Sequence, residues 1–140
     1  MTEIRFSEGP IQESDQDILS NGLELHGKQN NAPEYKKTRL NWMVYRDEQL
    51  VGALTADLLW DWIYISELWV DDSCRGTGLG KQLMAKVEEY AREQGVTGLW
   101  LWTQSWQAPK FYQSVGFEEF TRFEGFPKGH SRIGLRKTLA

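Results

Sequence analysis

The run Leu68-Trp69-Val70, the acidic Asp71-Asp72, and the glycines of Arg75-Gly76-Thr77-Gly78-Leu79-Gly80 constrain this chain more than any other segment. They lead into a stretch where Leu79, Leu83, Met84, Val87, Tyr90 and Ala91 recur at helical spacing, with Lys81, Gln82, Lys86, Glu89 and Glu93 mostly opposite. That order predicts a strand, a tight turn and a helix start. Glycines let the main chain approach a ligand, and the first amides of a helix have no acceptor behind them. The unit is therefore a candidate seat for a phosphorylated ligand.

Two common phosphate motifs are excluded. A P-loop needs Ser or Thr after Gly-Lys, but Gly80-Lys81 is followed by Gln82. A dinucleotide fingerprint needs a different third glycine; here Gly76, Gly78 and Gly80 are evenly spaced and Lys81 stands in its place. A plain tight turn is the alternative to a phosphate seat.

Around this unit the pattern predicts a short first strand at Ile4-Arg5-Phe6 and a helix capped by Ser14, with Asp17 in its first turn. Ile18, Leu19, Leu23 and Leu25 form a loose helical face, and residues 27–33 read as loop. Strands are expected at residues 40–45, 50–60, 62–70, 98–103, 117–123 and 132–139, the first two joined by a polar turn at 46–49. The near-continuous apolar character of 50–60 and 62–70 predicts cover on both faces of the sheet. Gly95 is the expected cap of the long helix. A short helix spans Ala108 to Val115, with Pro109 in its first turn and Gly116 closing it. The expected architecture is α/β: a mixed, mostly antiparallel sheet of about six to seven strands flanked by helices. No repeat or linker divides the chain, so residues 1–140 are read as a single domain.

A net charge of −4 argues against a general nucleic-acid binder. No apolar stretch is long enough for a bilayer span, and the first residues lack a signal-peptide core. Cys74 is the only cysteine, which excludes an intrachain disulfide and a zinc cluster. Those features favour the cytoplasm, with no membrane partner and no metal. Of the seven tryptophans, most are assigned to the core and one or two to a pocket wall.

The pattern Arg75-x-x-Gly78-x-Gly80 after Leu68-Trp69-Val70 resembles the acetyl-CoA signature of the GNAT N-acetyltransferase superfamily. Ala108-Pro109-Lys110-Phe111-Tyr112, followed by Gly116-Phe117, resembles that family's second landmark. The two occur in the right order and at a suitable separation. Residues 71–80 and 107–117, with Pro127-Lys128-Gly129-His130, are similar to small bacterial members whose acceptors are largely unassigned. Residues 1–38 match in topology only.

The resemblance implies a sheet splayed between the strands ending at Val70 and Thr103, with acetyl-CoA as co-substrate in the gap. Main-chain groups of Leu68, Trp69 and Val70 would pair with its pantetheine arm. Amides of Gly76, Thr77, Gly78, Leu79, Gly80 and Lys81 would hold the pyrophosphate, with Arg75 and Lys81 adding charge or remaining solvated. Ser105 either touches the cofactor or caps the next helix.

The implied reaction is direct attack of an amine on the thioester in a ternary complex. An amide near Leu68 or Trp69 would stabilise the oxyanion, and Tyr112 would protonate the sulfur. Glu67 is the candidate base or ammonium ligand, with Ser66 beside it where relatives place a carboxylate. Strand neighbours face opposite sides unless a bulge re-aims them. Trp60, Trp62 and Trp106 are candidate walls for a small-molecule amine. Acetylation of a protein N-terminus or lysine, and a non-catalytic acyl-CoA sensor, are the alternatives. A homodimer through the late strands is implied by resemblance alone. Cys74 is read as incidental, His26 as a surface or helix-end residue, and His130 as ordering its loop.

Overall fold

The computed structural model describes residues 2–139. Contacts divide the chain into two compact units, residues 1–35 and 36–140.

The first unit is built on one helix, α1 (Glu13–Gln29). It begins beyond an extended Gln12 that makes no side-chain cap, so Ser14 lies inside the helix and is not its cap. Glu13 and Asp15 in the first turn, with His26 and Lys28 in the last, complement the helix dipole in place of a capping hydroxyl. Gly22 does not interrupt it. The helix also runs into the expected loop, and Asn31 just beyond it has a φ of 59°, the left-handed conformation common after helices. Ile4 to Phe6 form no strand. Their backbone joins no ladder, and a strand without a ladder has nothing to satisfy its main-chain groups.

The second unit runs β1 (Lys37–Arg46), β2 (Gln49–Leu59), β3 (Trp62–Val70), α2 (Leu79–Glu93), β4 (Gly98–Gln104), α3 (Pro109–Ser114), β5 (Glu118–Glu124) and β6 (Ser131–Thr138). The sheet order is β1-β2-β3-β4-β6-β5, and every neighbouring pair is antiparallel except β3–β4. A parallel pair needs a long crossover, and α2 supplies it. The first hairpin turns through Asp47 and Glu48, both at positive φ, which matches the twist of the flanking strands.

One face of this sheet makes the core. Leu54, Ala56, Ile63, Ile65, Leu99, Leu101, Ile133 and Leu135 pack with Leu83, Met84, Val87 and Ala91 of α2. Burial alternates along β2 and β3, so these two strands are not buried equally on both faces as their apolar runs suggested, and it alternates along β4 as well. None of the tryptophans is fully buried among the described residues. Trp42 packs edge-on against Tyr90 of α2, whereas Trp100 and Trp102 alternate with buried Leu99, Leu101 and Thr103 and so occupy the other face. The expectation that most tryptophans fill the core fails for that reason.

Both helices of this unit end in the same device. Gly95, at φ 69°, donates to the Arg92 carbonyl while the next amide, Val96, donates back to Ala91. Gly116, at φ 99°, and Phe117 repeat this on Gln113 and Tyr112. These are Schellman caps, and in each the residue after the glycine is buried. Among the described residues no helix is long and apolar enough to cross a membrane.

Gly98 at the start of β4 lies so close to its neighbours that a Cβ would fall 2.5 Å from the Trp62 ring and 2.7 Å from the Lys137 carbonyl oxygen. Gly98→Ala is expected to destabilise this unit by about 1–3 kcal/mol, read as a lower denaturant midpoint with an unchanged m-value.

Candidate functional site

Strands β3 and β4 pair only from Trp62↔Gly98 to Ile65↔Leu101. Beyond that they part, each held by its other neighbour. β3 continues along β2 to Val70↔Gly52, and the Asp71 amide donates to Val51 O at 2.8 Å. β4 continues along β6 to Gln104↔Arg132, then Ser105 N donates to Ser131 O at 2.8 Å. The result is a gap whose β3 side is an unpaired strand edge.

The Asp71 bond decides which groups line that edge. Backbone groups alternate sides along an antiparallel strand. With Asp71 bonded to β2, Trp69 also faces β2, while Leu68 and Val70 present their N–H and C=O to the gap. Of the three residues expected to pair with a pantetheine arm, Leu68 and Val70 are oriented for it and Trp69 is not.

A bulge sets the side chains. Thr55 opposes Glu67 and Ala56 opposes Ile65, leaving Ser66 as the extra residue. Ile65 and Leu68 both pack on the α2 face, so Ser66 and Glu67 turn to the opposite face together. The two are therefore not on opposite sides of the strand. Thr55 Oγ1 lies 3.0 Å from Ser66 Oγ and donates to Glu67 Oε1 at 2.8 Å. Arg39 of β1 reaches the same cluster and pairs with Asp57 at 3.2 Å. Sequence pattern does not single out Arg39, Thr55 or Asp57; the one signal in it is a carboxylate at Asp57 within an otherwise apolar strand.

The glycine turn stands at the mouth of the gap. Gly76 and Gly78 adopt φ of 78° and 83°, with open space where a Cβ would point. Gly78 is the N-cap of α2, and the amides of Leu79, Gly80 and Lys81 belong to its acceptor-less first turn. Gly80 serves a different purpose. A Cβ there would sit 3.3 Å from the Phe111 ring, so its absence lets α3 dock on the first turn of α2. Asp71 stiffens the approach by accepting from the Ser73 amide and hydroxyl, and those bonds hold its carboxyl below the usual carboxylate range. Arg46 braces the turn from β1 through Ser73 Oγ at 2.9 Å. Arg75 pairs with Asp72 at 3.0 Å, and Lys81 and Thr77 are exposed, with the Thr77 hydroxyl donating to the Cys74 carbonyl.

This combination of a parted parallel pair, a bulge beside it and a glycine-capped helix agrees with the similarities found across the chain. The family model described as "Acetyltransferase (GNAT) family" matches residues 9–117. The chain belongs to the GNAT acetyltransferase family. It is 40% identical over 92 residues to the blasticidin-S acetyltransferase of Streptomyces morookaense, covering 65% of this chain and 68% of that protein. Acetyltransferase Atu2258 of Agrobacterium fabrum is 30% identical over 105 residues, 74% of this chain and 77% of the relative. A crystal structure of an acetyltransferase from Bacillus cereus aligns with a TM-score of 0.81 at 27% identity, over 97% of this chain and 98% of that one. A Bacillus anthracis protein described as a streptothricin acetyltransferase, solved with acetyl coenzyme A, aligns with a TM-score of 0.66 at 25% identity, over 75% of this chain and 65% of that one. GNAT enzymes draw on acetyl-CoA, and the chain is an acetyl-CoA-dependent N-acetyltransferase by family.

The second GNAT landmark follows the gap. Phe111 and Tyr112 lie on α3 in edge contact, and Tyr112 meets Phe117 the same way. The Schellman cap takes the Tyr112 carbonyl as acceptor for Phe117, which fixes the residue's backbone. Burial pushes the Tyr112 hydroxyl above its ordinary pKa. Ser105 does not cap α3, whose N-cap is Ala108; its hydroxyl accepts from Ser131 N at 3.1 Å and staples β4 to β6.

The three tryptophans expected as walls are not gathered. Trp106 stacks edge-on with His130 at 4.9 Å, just beyond β4, and His130 also closes its own loop onto Pro127 and Gly125. Trp62 lies at the closed end of β3, lining a hollow of about 280 Å³ with Trp100, Phe120 and Arg136. Trp60 is in the turn before it, a full strand length from Val70. Trp102, a core residue by composition, instead carries the Arg132 guanidinium 4.8 Å from its ring centre. His26 ends α1, where its carbonyl accepts from the Asn30 side chain at 2.8 Å. Cys74 is buried beside the turn, with Arg46 Nη1 at 3.5 Å.

Because Tyr112 keeps its proton longer in the folded chain than in the unfolded one, its contribution is intact below the unfolded phenol pKa, about 10, and is lost as pH rises toward the folded value. Tyr112→Phe is therefore expected to flatten the loss of stability above about pH 10, measured by urea unfolding from pH 8 to 11.

Proposed function

We propose that this enzyme transfers the acetyl group of acetyl-CoA to the primary amine of a small cationic molecule, by direct attack in a ternary complex. The observation that carries the reading is the bulge, which turns Glu67 to the face opposite α2 beside a strand edge left open by the parting of β3 and β4. Acetyl-CoA supplies an activated acyl group when bound. The residues present fit it: Leu68 and Val70 offer an unpaired edge, and Gly76 to Lys81 offer a turn without side-chain obstruction at Gly76 and Gly78. Those amides would hold the pyrophosphate, with Arg75 and Lys81 adding positive charge.

Three proton and charge roles then fall to named groups. Glu67 takes the proton of the acceptor ammonium, directly or through water. The Leu68 amide, turned into the gap, stabilises negative charge on the acyl oxygen. Tyr112, a neutral phenol at neutral pH, protonates the departing sulfur. Carboxylates at Asp57 and Glu67, with the exposed Trp69 and the half-buried Trp102 on the same face, suit a cationic acceptor with a flat apolar part. Acetylation of a small-molecule amine also agrees with the name of the Streptomyces relative, a blasticidin-S acetyltransferase.

The test is acetyl-CoA consumption with blasticidin S, spermidine, kanamycin, lysine and short peptides as acceptors. A small cationic amine is expected to give the highest kcat/KM. Tyr112→Phe is expected to lower kcat by about 10²-fold while leaving the Kd for acetyl-CoA nearly unchanged. Tight acetyl-CoA binding with no turnover across the panel would identify a sensor instead, and preference for peptides would identify a protein acetyltransferase.

A further inference from the structure

We infer that Arg39 is a positioning residue for the transfer reaction, holding the β3 bulge and the Glu67 carboxylate in their working arrangement. The inference rests on the reading of Glu67 given above. Arg39 lies on β1, two strands from the gap, yet its guanidinium spans the sheet to β3. Nη1 donates to Asp57 Oδ1 at 3.2 Å and to Ser66 Oγ at 3.0 Å, and Nη2 donates to Glu67 Oε1 at 3.4 Å. It therefore grips both residues that the bulge turns outward.

The remaining contacts complete the lattice. Ser66 Oγ donates to the Thr55 carbonyl at 3.0 Å, and Thr55 Oγ1 donates to the same Glu67 oxygen that Arg39 addresses. Two donors from two strands thus orient the carboxylate through Oε1. Without the bulge, Ser66 and Glu67 would point to opposite faces, and no single guanidinium could reach both.

Stability does not explain the reach to Glu67. The Arg39 side chain is 45% exposed and that of Glu67 70% exposed, and ion pairs so open to water contribute little to folding. The planar fork is what the geometry uses: it donates in several directions at once, as a lysine ammonium at the end of a flexible stem does less well. Asp57, the ladder partner of Arg39 on β2, accepts from the same Nη1 that reaches Ser66.

The experiment compares Arg39→Met, Arg39→Lys, Glu67→Gln and the double variant Arg39→Met/Glu67→Gln in the intact chain, using the best acceptor from the panel above. Arg39→Met is expected to lower kcat about tenfold or more, with the KM for acetyl-CoA and the melting temperature nearly unchanged, and Arg39→Lys to recover part of the loss. The double variant is expected to be no slower than Glu67→Gln alone, because residues acting as a unit are not additive. Losses that multiply, or an Arg39→Met defect matched by weaker acetyl-CoA binding and a lower melting temperature, would overturn the inference. Glu67→Gln with full activity would remove the Glu67 reading itself. An impaired Glu67→Gln beside an unimpaired Arg39→Met would remove only the role of Arg39. No turnover with any acceptor would remove both.

Discussion

The separation of β3 from β4 after Ile65 and Leu101 is the constraint on which the rest of the site depends. Parallel strands that stayed paired would bury the Leu68 and Val70 main-chain groups in a ladder. Here each strand is held by its outer neighbour instead, β3 by β2 through Asp71 and β4 by β6 through Ser105 and Ser131. An unpaired edge would ordinarily invite unwanted pairing. Recessed between β3 and β4 of its own sheet, it is shielded from such pairing.

The bulge at Ser66 turns that edge into a two-sided device. It lets Ile65 and Leu68 stay in the core while Ser66 and Glu67 emerge together on the opposite face. Main-chain groups that suit a donor arm thus lie next to side chains that suit an amine. On the core side, Gly80 permits Phe111 to rest on the first turn of α2, and the Gly116 cap locks the carbonyl of Tyr112. The family landmarks thereby acquire separate physical roles, with conformational freedom at Gly76 and Gly78, close approach at Gly80, and a helix stop at Gly116.

Elements carried by local chemistry are legible in the sequence. Residues 62–70 and the helix after Gly78 have nearly the bounds their pattern predicts, because strong periodicity and glycine punctuation coincide there. Gly95 and Gly116 announce helix ends for the same reason. What depends on register is not legible. Glu67 and Ser66 can be assigned to a face only once the ladder with β2 shows two residues opposing one, and Arg39 reaches them only because β1 pairs at Asp57. Ser105 has the look of a helix cap but is drawn to Ser131, far along the chain. The tryptophans mislead because apolar bulk does not ensure burial, and alternation sends Trp100 and Trp102 outward. Ile4 to Phe6 have the composition of a strand and no partner to make one.

Amide hydrogen exchange at three consecutive residues tests the account at its centre. Leu68 and Val70 are predicted to exchange rapidly in the free protein and to become protected when acetyl-CoA is added, with Trp69 protected throughout by β2. Slow exchange at Leu68 and Val70 without ligand, or no change at saturating acetyl-CoA, would contradict an open strand edge that receives the donor.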